Sequence, residues 1–232
     1  PAITDQIPEV LSFARAYKLE GILARDNISF REDKMLWAEP DFLNLFSYEI
    51  IEQSVDSLLH EPNTMLLSEK AAKKYFGTQN VLEKILNLNG TEEFKIVGIF
   101  KSKPSNMHYD ADFLLSYINW ENQLGEQLKL YGWMFSGFYT YVRLEQDADY
   151  LKVNEKIEAL IKEELGEFME TYKLKIGYKL QPVTDIHLTS HFMHELKANG
   201  NKTSVDFLHI LSWFIILIAW INFVILLIII SI

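Results

Sequence analysis

From Phe207 to Ile232 the chain carries no Asp, Glu, Lys or Arg, and no other feature restricts its structure as strongly. Leu208–Ile232, LHILSWFIILIAWINFVILLIIISI, is 25 residues long, against about 20 needed for a helix to cross a hydrocarbon core. A soluble helix of this length would show a polar stripe. In this segment His209, Ser212, Asn222 and Ser231 form no continuous face. A transmembrane helix over 208–232 is expected, with Trp213 and Trp220 as interfacial anchors. An amide in hydrocarbon either bonds to a neighbouring helix or is tolerated alone, and for Asn222 both readings stay open. Charge bias gives no orientation, because it is counted over short flanking loops and one flank is a large domain.

The formal charge of −10 therefore sits entirely on residues 1–206 of the 232. So acidic a surface repels phosphates, which argues against nucleic-acid binding. Absence of cysteine excludes disulfides and thiolate metal sites. The chain opens at Pro1 with no signal peptide, so it is expected to be a piece of a longer protein.

Residues 1–206 read as α+β, and residues 1–203 are expected to fold without the span. Asp5–Tyr17 carries Ile7, Val10, Leu11, Phe13 and Ala14 at helical spacing, with Pro8 in its first turn. Leu19–Ala24 and Asn27–Trp37 read as strands, with Glu32-Asp33 near a turn, and Asp41–Phe46 as a short turn or helix. Ser68 can cap a helix through Ala71, Ala72, Tyr75 and Phe76 that stops at Gly77. Leu82–Leu88 and Phe94–Phe100 flank Asn89-Gly90, a hairpin turn signal. Phe138–Leu144 and Tyr178–Val183 read as strands. Asp147 or Asp149 can cap a helix burying Val153, Ile157, Leu160, Ile161 and Leu165. Residues 195–206, ELKANGNKTSVD, read as a polar connector.

Motifs that could carry chemistry are few. His187, His191 and His194 could share a face and bind zinc on a helix, but they follow a strand-like stretch and lack the HExxH carboxylate; a surface or connector role is expected. Glu155, Glu158, Glu163, Glu164, Glu167 and Glu170 alternate with Lys152, Lys156 and Lys162, the pattern of a solvated helix face. Neither a phosphate-cradling glycine loop nor a nucleophile elbow occurs. No catalytic, cofactor-binding or metal-binding residue is assigned, no cofactor is expected, and the chain reads as non-enzymatic. The aromatic run Trp120, Tyr131, Trp133, Phe135, Phe138, Tyr139 and Tyr141 suits core packing or a partner surface.

Five stretches occur in order: MLLSEKAAKKYFG (65–77), FKIVGIFKSKPSNMH (94–108), YTYVRL (139–144), LQPVTDIHL (180–188) and IAWINF (218–223). Together they resemble the extracytoplasmic domain of MacB-like and FtsX-type ABC-transporter permeases. The resemblance implies a permease with four membrane helices and a large external domain between the first two. This chain would be that domain plus the second helix, with the first helix ahead of Pro1. It implies a βαβ-rich lobe split between 1–46 and 136–182, an inserted lobe at 47–135, a connector at 183–207 and the span at 208–232. Partners implied are a separate or fused ABC ATPase, a second permease copy as a homodimer, membrane lipid and a periplasmic protein. The location implied is the cytoplasmic (inner) membrane, with the soluble part extracytoplasmic. Two departures stand out: Val183 replaces the usual leucine, and Val224–Ile228 lacks the family's second asparagine. Composition alone fits a receptor's extracytoplasmic sensory domain equally well; a membrane-tethered enzyme fits less well, for want of a catalytic constellation.

Overall fold

The computed structural model describes residues 2–78, 80–102, 109–125, 133, 137–190 and 200–231. They form two compact units, Pro1–Leu180 and Gln181–Ile232.

The first unit is built on one mixed sheet of eight described strands. In chain order its elements are α1 (Ala2–Gln6), β1 (Val10–Arg25), β2 (Ile28–Ala38), α2 (Asp41–Leu45), β3 (Ile50–Gln53), β4 (Thr64–Ser68), α3 (Glu69–Phe76), β5 (Ile85–Leu88), β6 (Glu92–Phe100), β7 (Phe113–Ser116), α4 (Tyr117–Leu124), β8 (Tyr139–Leu144) and α5 (Tyr150–Tyr172). Strand order runs β2-β7-β4-β6-β5-β1-β8, and β1 also pairs with β2. Six strands thereby close into a ring, which removes their free edges. β3 adds to β6, and β8 adds to β1 over Val10–Ala16.

Register decides what fills the ring. Met35 faces Phe113, Trp37 and Met65 both face Leu115, Leu86 faces Phe94 and Leu23 faces Leu88. Directly opposed residues share a face, and all of these belong to one buried cluster. Ala71, Ala72 and Tyr75 of α3 join it. The turn between β5 and β6 has Asn89 at φ 53° and Gly90 at φ 76°, left-handed angles that Asn and Gly adopt readily.

Helix α3 follows its sequence signals. The Ser68 Oγ accepts from the Ala71 amide at 3.0 Å, and Gly77 at φ 68° ends the helix. Ser68 Oγ also donates to Asp112 Oδ1 at 2.8 Å. Ser68→Ala removes both bonds and is expected to cost about 1–2 kcal/mol, read as a lower denaturation midpoint with unchanged slope.

Three sequence expectations are corrected. Asp5–Tyr17 is not one helix: α1 ends at Gln6 and β1 starts at Val10. Val10, Ala14 and Ala16 also fit a period of two, and pairing of this stretch with β2 and β8 decides the strand. Glu32 and Asp33 lie within β2; the turn is at Asp26, with φ 50°. Tyr178–Val183 is not a strand among the described residues; 174–180 carries no regular secondary structure, and a helix starts at Val183.

The second unit holds that helix, α6 (Val183–Thr189), and α7 (Lys202–Ile230). The helix is longer than the expected span, 29 residues, with an 18-residue stretch of mean hydropathy 3.0 that is not buried. Its first turns take in the end of the polar stretch at 195–206. Asn201 caps it, accepting from the Ser204 amide at 3.3 Å. Ser212 Oγ donates to the Leu208 carbonyl at 2.8 Å.

Candidate functional site

The candidate site is the cluster on α5 where both ends of the first unit pack. Asp149 caps α5 by accepting from the Leu151 amide at 3.0 Å. Val153, Ile157, Ile161 and Leu165 form the buried stripe, as the periodicity predicts. Ile3 of α1, Ile7 just after it and Val10 of β1 pack on it, and so do Ile176 and Leu180 from beyond the helix.

The segment 174–180 is held against α5 by specific contacts. Lys173 takes a left-handed turn at φ 53°, and the Leu174 amide donates to the Met169 carbonyl at 3.0 Å. The Leu180 amide donates to Asn154 Oδ1 at 2.7 Å, while Asn154 Nδ2 donates to Glu158 Oε1 at 3.0 Å. Ile176 and Leu180 pack on the cluster, while Lys175 and Lys179 are exposed. A groove of about 470 Å³ runs between α5 and this segment, lined by Ile161, Met169, Leu174 and Ile176, with Lys162 and Glu170 beside them. The Tyr178 hydroxyl donates to the Trp133 carbonyl, and burial raises its pKa. Lys156 donates to Glu9, holding that carboxylate below its ordinary value.

An ionic junction ties β1 to the end of β2 and to α4. The Arg15 guanidinium donates to Glu39 Oε1 from Nη2 at 2.5 Å and from Nε at 3.0 Å, and to Glu121 Oε1 at 2.9 Å. The Arg15 amide donates to Glu39 Oε2 at 2.7 Å. The guanidinium stacks 4.7 Å from the Tyr117 ring centroid. Burial opposes its charge, and the bond to Glu39 outweighs this and raises its pKa. A second junction is more enclosed: Tyr75 and Lys74 both donate to the buried Glu32 Oε1 at 2.6 Å.

The residues singled out from sequence fall elsewhere. The α5 glutamates are exposed. His191 and His194 lie outside the described residues, as do Tyr131 and Phe135. Of the other aromatics, Trp120 and Tyr141 are buried, and Phe138 packs against the ring core with Trp120 at 4.7 Å. Among the described residues no three His, Asp or Glu groups converge to hold a metal. Sequence reasoning missed Asn154, Met169 and Arg15; a lone Arg in an apolar stretch was the available sign of the last.

The sequence profile described as MacB-like periplasmic core domain matches residues 2–160. A domain of a Porphyromonas gingivalis protein described as a permease is similar in structure, with 29% identity, a TM-score of 0.60 and coverage of 70% of this chain and 74% of that one. The periplasmic region of MacB from Actinobacillus actinomycetemcomitans shares the fold at 16% identity, with a TM-score of 0.55 and coverages of 76% and 82%. So does the extracellular domain of the ABC-type transporter YknZ from Gram-positive bacteria, at 13% identity, with a TM-score of 0.54 and coverages of 78% and 87%. No curated protein matches the sequence.

Proposed function

This chain belongs to the MacB-like periplasmic core domain family, and we propose that it passes ATP-driven motion between an ABC ATPase and the outer side of the inner membrane. It is an ABC-transporter-permease-like periplasmic domain followed, among the described residues, by one candidate membrane helix. Its soluble part is extracytoplasmic. In the proposal the chain itself is non-enzymatic. A separate or fused ATPase supplies the energy, a second permease copy completes the transporter and a periplasmic protein receives the substrate.

The observation that carries this reading is the α5 cluster. A part that transmits displacement must be stiff where force enters and leaves it. α1 and the segment 174–180 pack on one helix, so displacement at one end of the unit reaches the other through buried contacts. A first membrane helix ahead of α1, as the family resemblance implies, would enter at this cluster. The same cluster supports the split lobe of 1–46 with 136–182: apart from Trp133, all its residues fall in those two stretches. The inserted lobe at 47–135 supplies most of the ring core.

The test co-expresses the full-length permease with the ABC ATPase encoded with or beside it. The ATPase should copurify, and deletion of residues 1–180 should change its turnover. Recovery without any ATPase, together with a kinase or coiled-coil module following the span, would instead support a sensory domain.

A further inference from the structure

We propose that the segment Tyr172–Lys179 is a contact for anionic lipid headgroups. Lys173, Lys175 and Lys179 are exposed, and none makes an ion pair among the described residues. No Asp or Glu occurs from Thr171 to Thr184, in a chain of net charge −10. Tyr172 is 63% exposed, Leu174 48% and Tyr178 39%. Lysines interleaved with exposed tyrosines and a leucine suit the headgroup layer, where ammonium groups meet phosphates and amphipathic rings sit at the interface.

The backbone fixes this presentation. The bonds to Met169 and Asn154 anchor the segment at both ends, and Ile176 and Leu180 are taken up by the α5 cluster. The lysines are thereby turned outward. Glu163, Glu164, Glu167 and Glu170 are exposed on the adjoining helix, so the attraction is short-ranged and read best at low salt. The inference rests on α7 lying in a bilayer, and not on the transporter reading.

The test uses the full chain, which has no cysteine. A side chain added at Gly177 meets nothing within 4 Å, so Gly177→Cys accepts a fluorophore without repacking. The labelled chain is placed in nanodiscs of phosphatidylcholine, alone or mixed with phosphatidylglycerol, carrying a headgroup quencher. Quenching is expected in the anionic discs and should fade with added salt. At about fivefold per lysine, replacing all three with Glu should weaken the contact about 100-fold or more; replacement with Gln gives the same direction without adding acids. Equal quenching in both lipids, or full quenching in the triple Gln variant, would overturn the proposal.

Discussion

Phe94→Ala is expected to destabilise the first unit by about 3–5 kcal/mol, a large part of the roughly 5–15 kcal/mol a typical domain has. Phe94 is fully buried, faces Leu86 across β5 and β6, and meets Trp37 at 5.6 Å between ring centroids. A closed ring cannot collapse onto the vacated space without shifting strands bonded on both edges, so the cavity persists. In thermal unfolding followed by near-ultraviolet circular dichroism the midpoint should fall by roughly 6–20 °C. Ile85→Ala, on the adjacent strand but half exposed, should shift it by only a few degrees. Equal shifts for the two variants would contradict a packed ring interior.

Arg15→Ala should rank next, at about 2–3 kcal/mol. Its partner Glu39 keeps only 17% of its side-chain surface in water, so removing the guanidinium strands a largely buried carboxylate. Partial exposure of both groups keeps the figure below that of a fully buried pair. Arg15→Lys retains the charge but loses the two-pronged donation to Glu39 and the stacking on Tyr117, so it should fall between. Arg15→Ala combined with Glu39→Ala should cost less than the sum of the two. Strict additivity in urea unfolding would show that the junction contributes nothing as a pair.

Local signals with a chemical cause were legible in the sequence. The Ser68 cap, the Gly77 stop, the Asn89-Gly90 turn and the α5 stripe each depend on a few adjacent residues, and each lies where expected. The span was legible because hydrocarbon tolerates so few alternatives. What stayed hidden depends on partners far away in sequence. Val10–Tyr17 satisfies helical and strand periods alike until β2 and β8 bond to it. β4 and β7 are short apolar runs whose strand character comes from the ring. Leu174, Ile176, Tyr178 and Leu180 alternate as a strand does, but the segment is held by α5 side chains and backbone rather than by a neighbouring strand. The candidate site was unreadable for the same reason: it joins residues 3–10 to residues 153–180, and no motif marks it.

The proposed coupling requires that the external domain and the membrane helix be mechanically joined. The segment ends in ordered contacts at Leu180, Pro182 opens α6, and α7 begins at Lys202 under its Asn201 cap. The most direct test inserts ten Gly and Ser residues after Gly200 in the full transporter. Such an insert adds slack of about 17 Å between α6 and α7, ahead of the Asn201 cap. Substrate-stimulated ATPase activity and export should fall together while expression and membrane insertion stay normal. Export and stimulation unchanged by the insert would contradict the claim, because a rigid linkage cannot survive it.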